Sequence, residues 1–243
     1  MTNHLANPWR RLGGGIFVLA SNSARALVNI GLVVGSERAL VVDTGAGPRH
    51  ATEILAAVRT LTPLPLVIAN THAHWDHFFG NAVFRAEGAL SDVGTQFWAH
   101  TATARGMAET GESQRAEVAG LEPEMAAGSG SQTEIVLPTH LIRRAPVVLD
   151  LGAVNVELFC LGRGHTNGDL MVGAPGVLFA GDVLEEGAKP QFEGSFPIEW
   201  AAVLRKLGGM GATYPVMVPG HGQPVNAAFA AKLAETVEAG PRA

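Results

Sequence analysis

Thr71-His72-Ala73-His74-Trp75-Asp76-His77 places four potential metal ligands within six residues. Imidazole nitrogen and carboxylate oxygen together suit zinc, and also iron or manganese. A lone histidine reads as a surface, capping or core residue. Clustered imidazoles lower one another's proton affinity, and their common placement gains most when metal fills the space between them. His72 and His74 are therefore expected to approach one ion, while Asp76 and His77 turn toward a second. Leu66-Val67-Ile68-Ala69 runs directly into the cluster and reads as a short buried strand, an anchor that gives the following loop little freedom.

Upstream, Ile16–Ala20, Leu27–Val34 and Ala39–Val42 are apolar runs split by short breaks, as expected of largely antiparallel strands. The third ends in Asp43-Thr44-Gly45-Ala46-Gly47. Ile54, Leu55, Val58 and Leu61 have helical spacing within Arg49–Leu61. Downstream, a short helix is predicted after His77 through Ala82, and another over Asp92–Glu109 with Asp92 as its cap. Residues 110–133 are polar and glycine-bearing, readable as a cover over the site or as a surface excursion. Val147–Leu149, Val154–Leu158, Leu170–Val172 and Val177–Ala180 form a second strand-rich section. Helical patterns at Ile198–Leu207 and Ala227–Val237 flank a strand-like Pro215–Val218. This order favours an α/β fold of paired sheets with helices on their outer faces, in one domain spanning 1–243.

More candidate ligands lie beside glycines at the ends of apolar runs. They are His165 and Asp169 in Gly162-Arg163-Gly164-His165-Thr166-Asn167-Gly168-Asp169, Asp182 in Ala180-Gly181-Asp182, and His221 in Gly220-His221-Gly222. Glycine lets backbone pass close to a crowded site. Asp169 reads as a hydrogen-bonding residue beside the site or as an ordinary turn residue.

Taken together, the His-x-His-x-Asp-His segment at 72–77, His165, Asp182, the Pro-Gly-His-Gly turn at His221 and Asp43 in Val-Val-Asp-Thr-Gly resemble the metallo-beta-lactamase-fold hydrolases. The resemblance implies an αββα sandwich of two mixed sheets, with the site along one edge. It implies His72, His74 and His165 as ligands of a first divalent ion, and Asp76, His77 and His221 as ligands of a second. Asp182 would bridge them, and Asp43 would orient the His72–His77 loop. Two zincs are the family default. Aspartate at 182, where cysteine-containing zinc beta-lactamases carry their thiolate, resembles the glyoxalase-II and lactonase-like branch. The implied chemistry is attack by metal-activated hydroxide on a small ester, thioester, lactone or related amide, with Asp76, Asp182 and His165 as catalytic residues. Alternatives are a phosphodiesterase, beta-lactamase activity, or a metal-binding protein without turnover.

Composition narrows the partners. Seventeen Lys and Arg against 22 Asp and Glu, without a long basic run, disfavour nucleic acid and leave a small molecule as the expected substrate. Cys160 is the only cysteine, so an internal disulfide is excluded. No apolar run reaches membrane-spanning length, and the cytoplasm is the expected compartment. Monomer and homodimer both remain open. Gly13-Gly14-Gly15 lacks the context of a phosphate-binding loop and is expected to be a turn near the active edge. Trp75, Lys189, Gln191 and Phe192 are candidate substrate contacts, the last three because they follow Asp182 closely.

Overall fold

The computed structural model describes residues 8–20, 28–89 and 94–240. The larger sheet has seven strands in sequential order, β1 (Trp9–Gly13), β2 (Ile16–Ala20), β3 (Asn29–Val34), β4 (Ala39–Val42), β5 (Leu66–Ala69), β6 (Gln96–His100) and β7 (His140–Ile142). The first four pair antiparallel; β4 to β7 run parallel. The smaller sheet holds five, β8 (Val147–Asp150), β9 (Asn155–Phe159), β10 (Met171–Ala174), β11 (Val177–Glu185) and β12 (Val216–His221), with β12 parallel to β11 on its edge.

Period-two alternation assigns each strand's two faces. Leu40, Val42, Val67 and Ala69 point between the sheets, where they meet Leu158, Val172, Phe179 and Val218. Their neighbours Ala39, Val41, Leu66 and Ile68 face helices α1 (Pro48–Arg59) and α3 (Asn81–Gly88). In β11, Leu178 and Ala180 face outward, onto α6 (Pro197–Gly208) and α7 (Ala227–Glu238). Covered on both faces, β4, β5, β10 and β11 are buried along their whole lengths. Trp200, Val203, Leu204 and Leu207 fill the α6 contact, each aliphatic side chain contributing roughly 1.5–3 kcal/mol when fully buried. The result is the expected αββα sandwich. No helix among the described residues is long and apolar enough to cross a membrane.

Several local expectations change. Gln96–His100 is a strand, and the helix begins only at Thr101, as α4 (Thr101–Gln114). The buried pattern alternates over 96–100, and the His100 side chain accepts the Ala102 N–H as cap. The expected cap Asp92 lies outside the described residues, as does Leu27. The segment after His74 splits into a single turn, α2 (Trp75–Phe78), and α3. Asp182 lies inside β11, because two irregularities in register with β12 prolong the pairing to Glu185. Gly14 and Gly15 form the β1–β2 turn at the end remote from the site. Val34 N–H donates to the Gly15 carbonyl, and Val34 pairs with Ala39 at the start of β4, whereas Asp43 follows its finish.

Residues 110–133 complete α4, continue through a 3₁₀ turn at Arg115–Val118 and form α5 (Pro123–Ala127). Val118 and Met125 join Phe78, Phe79 and Met107 in an apolar cluster under the histidine loop. Buried Glu122 accepts the Arg49 and His50 N–H groups at 3.1 and 2.8 Å. It thereby satisfies orphan donors at the start of α1, with its charge at the favourable end of that helix.

Candidate metal centre

Parallel pairing brings the site together. β4 delivers Asp43 and β5 delivers residues 71–77 to the same edge of one sheet. In the other sheet β11 carries Asp182, its parallel neighbour β12 ends on His221, and His165 comes from the connection between β9 and β10. Bonds from Asn29 Nδ2 to the Pro219 and Gly222 carbonyls, both 2.9 Å, tie the two sheets beside His221.

The seven candidate ligands form two groups whose donor atoms lie within 4.8 Å of one another, His72, His74, His165 and Asp182 in one, Asp76, His77 and His221 in the other. In the first, His72 Nε2 and His165 Nε2 each lie 3.0 Å from His74 Nδ1. In the second, Asp76 Oδ2 is 3.2 Å from His221 Nε2 and 3.6 Å from His77 Nε2. Asp182 reaches both. Its Oδ2 is 3.8, 3.7 and 3.4 Å from Nε2 of His72, His165 and His221, and its Oδ1 is 3.3 Å from His77 Nε2. Nitrogens sharing a tetrahedral ion at ~2.0–2.1 Å stand ~3.3 Å apart, so these spacings suit divalent ions. Buried His77 Nε2 and Asp182 Oδ1 have no hydrogen-bond partner among the described residues. Such an orphaned polar atom costs about 1–3 kcal/mol unless something else satisfies it. The donor set and its orphaned atoms fit a pair of divalent cations.

Two glycines make room. A Cβ on Gly220 would fall 1.8 Å from Asp182 Oδ1. Gly181 holds φ +52° beside Thr71, whose Cβ would stand 2.7 Å from an added methyl. Both β-carbon positions are thus closed beside Asp182.

Asp43, itself at φ +64°, is buried behind the loop. It accepts the Thr71 N–H and hydroxyl, both at 2.7 Å, and His77 Nδ1–H at 2.8 Å. Because His77 donates through Nδ1, its Nε2 is left to face Asp76 and Asp182. Thr71 Oγ1 lies 3.0 Å from His72 Nδ1, an arrangement that frees Nε2 of that ring as well. Asp169 stays outside both groups. It accepts the Thr166 N–H at 3.0 Å and the Thr166 hydroxyl at 2.5 Å, bracing the turn next to His165.

Electrostatics divides the groups. Burial, reinforced by His77, drives His72 well below the ordinary imidazole range. Burial likewise lowers His165 to about 4. These rings are neutral and offer lone pairs. For His77 burial opposes charge, but Asp76, Asp182 and Asp43 prevail and raise it well above its ordinary value. For His221, burial is outweighed by hydrogen bonds to Asp182 and Asp76, which lift it to about 10. The second group therefore holds protons that a dication must displace. Burial raises Asp169 to about 7 despite its bonds to Thr166.

Two residues escaped the motif reading. Gln114 clamps the loop, its Oε1 accepting Trp75 N–H at 2.8 Å and its Nε2 donating to the Ala73 carbonyl at 3.0 Å. Glu185, buried with its acidity weakened to about 7 by burial and by Asp182, places Oε1 3.6 Å from His165 Nδ1. It also accepts the Gln191 N–H. Gln114 lies in a stretch without apolar periodicity and offered no signal. Glu185, three residues beyond Asp182, offered only its nearness.

Of the candidate substrate contacts, Trp75 packs on the apolar cluster under the loop. Lys189, Gln191 and Phe192 line a cavity of about 600 Å³ against Glu235, Thr236 and Ala239 of the α7 end. The Phe192 ring stands 6.0 Å from Trp200, itself 5.6 Å from His165.

Residues 25–221 match the family model described as the metallo-beta-lactamase superfamily. A metallo-beta-lactamase from Pontibacter korlensis superposes with TM-score 0.70 at 19% identity, over 93% of this chain and 98% of that one. The DIM-1 metallo-beta-lactamase gives 0.69 at 18%, over 96% and 97%. Among curated proteins, the acyl-coenzyme A thioesterase MBLAC2 of Gallus gallus is 39% identical over 77 residues, 28% of this chain and 28% of that one. The match thus spans little more than a quarter of that relative. With its fold, its cysteine-free cluster and the family match over most of its length, the chain belongs to the metallo-beta-lactamase superfamily as a metal-dependent hydrolase, on the side of the glyoxalase-II and lactonase-like branch rather than the cysteine-containing zinc beta-lactamases.

Proposed function

We propose that this chain hydrolyses a small carbonyl compound, an ester, thioester, lactone or related amide, at a centre of two divalent ions. The observation that carries the reading is Asp182, whose two oxygens face the two groups of ligands from between them. His72, His74 and His165 are assigned to one ion, Asp76, His77 and His221 to the other, and zinc is the metal assigned from the imidazole and carboxylate donors. When bound, the ions supply a water of lowered pKa and a Lewis acid for the substrate carbonyl.

The chain's own residues determine approach and order. His74 and His221 are partly exposed, whereas His72, His77, His165 and Asp182 are buried. Substrate therefore enters over His74 and His221, with the buried ligands as the floor. Asp182 and Asp76 hold negative charge beneath that mouth and fix the cations' positions. Asp43 and Thr71 orient His77 and His72, so little reorganisation of those two rings accompanies reaction. Lys189, Gln191 and Phe192 line a separate cavity against the α7 end, with none of the seven candidate ligands in its wall, and we assign them no substrate contact.

Thioesters come first in the test, on the strength of the partial likeness to an acyl-coenzyme A thioesterase. Zinc-replete enzyme is assayed against thioesters, esters, lactones, a beta-lactam and a phosphodiester, with chelated protein and Asp182→Asn as controls. Carbonyl turnover that disappears in both controls supports the reading. Turnover confined to the phosphodiester refutes it, as does metal retention without turnover on any member of the panel.

A further inference from the structure

Behind the loop that carries His165 lies a second cleft, of about 370 Å³, lined by Arg143, Arg144 and Arg163. In a chain of formal charge -5, with 17 Lys and Arg in 243 residues, three guanidiniums around one small cleft invert the local field. They come from both sheets. Arg143 and Arg144 directly follow β7, which runs parallel to β6 and so points to the edge where β5 delivers the histidine loop. Arg163 belongs to the β9–β10 connection, two residues before His165.

Two of the three arginines are available. No ion pair or hydrogen bond engages the exposed guanidiniums of Arg143 and Arg144 among the described residues. Arg163 is oriented by Glu199 and by the Phe196 ring, whose centroid is 4.3 Å from its Cζ. His100 Nδ1 accepts from Ala102, and its Nε2–H donates to the Arg143 carbonyl at 3.1 Å, pinning the start of the arginine pair to α4. The one carboxylate in the lining, Asp169, has Oδ1 engaged by Thr166, and burial weakens its acidity. Cys160, also in the lining, has its thiol pushed up to about 12 by burial and Asp169, so it supplies no thiolate at neutral pH. The free valences are planar cationic forks, the donor geometry that matches phosphate oxygens.

We propose that this cleft binds a phosphate group. A phosphate-bearing leaving part of the substrate and free inorganic phosphate share this chemistry. The first source rests on the hydrolase reading above; the binding itself does not.

The test uses the zinc-loaded full chain, its Arg143→Ala/Arg144→Ala double variant, and, as a control, Arg205→Ala, whose guanidinium pairs with Glu238 and is not part of the cleft lining. Calorimetric titration with inorganic phosphate and with adenosine 3′,5′-bisphosphate is expected to show affinity falling about tenfold or more in the double variant alone, as loss of charge-assisted bonds implies. Parental affinity in the double variant overturns the proposal, including the case in which binding vanishes only on chelation and so belongs to the metals. Steady-state kinetics then separates the sources. If the phosphate is the substrate's, KM for a coenzyme A thioester rises about tenfold in the double variant with kcat unchanged, while the same acyl group on N-acetylcysteamine is processed as by the parent. Lost phosphate affinity with both KM values unchanged assigns the cleft to free phosphate. Lost affinity in a protein that hydrolyses no carbonyl member of the panel keeps the cleft and refutes the hydrolase reading.

Discussion

Replacing Asp43 by Asn tests whether the loop is organised through one buried carboxylate. Asparagine is close to isosteric and tolerates the positive φ of 64°. Its amide oxygen can still accept the Thr71 N–H. Its NH₂ group, however, now faces the Thr71 hydroxyl and His77 Nδ1, where the carboxylate accepted at 2.7 and 2.8 Å. The hydroxyl can rotate to accept; the imidazole can accept only by moving its proton to Nε2, the atom that faces Asp76 and Asp182. Losing such an orienting partner lowers metal affinity by about 10- to 100-fold, or ~1.4–2.8 kcal/mol. The loss falls on the ion assigned to Asp76, His77 and His221. Stability drops by about 1.5–3 kcal/mol for the lost charge-assisted bond. Competition with a chromophoric chelator should resolve one site near parental affinity and one weakened, with turnover falling alongside the weak site. Two ions at parental affinity in Asp43→Asn, or equal weakening at both, would refute the tautomer argument.

Gly220→Ala puts a methyl against the Asp182 carboxylate, at 1.8 Å before relaxation; metal stoichiometry by mass spectrometry should fall below two while far-UV dichroism stays native. Gln114→Ala removes two bonds to the loop backbone, a stability loss of ~1–3 kcal/mol, and hydrogen exchange should quicken at Trp75 before it does in β4 or β5. Asp169 has its folded pKa raised to about 7, so its contribution is complete below pH ~4 and is lost as pH rises toward ~7. Asp169→Asn should therefore match the parent's melting temperature near pH 4 and exceed it increasingly up to pH 7 in chelated protein; a constant difference across that range would contradict the assigned burial.

The candidate cluster was legible because residues able to hold metal are chemically distinctive and sit where apolar runs stop. His72, His74, Asp76 and His77 stand within one loop, and His165, Asp182 and His221 each adjoin glycine. β6 was hidden because Gln96–His100 mixes polar and apolar residues and continues into a helix that begins at once. Gln114 and Glu122 were hidden for another reason: each acts on backbone 39 to 73 residues away, and no local pattern encodes such a bond.

Sequence alone determined the donor types, the two-faced strands and the absence of thiolate from the centre, since these depend on residue identity and short-range periodicity. Tertiary structure decided which candidate donors gather into each group, which ring nitrogen His77 turns toward Asp76 and Asp182, and that Arg143, Arg144 and Arg163 border one cleft. Those properties arise only when parallel strands of two sheets carry distant loops to a common edge, where ångström separations and burial fix both charge and tautomer.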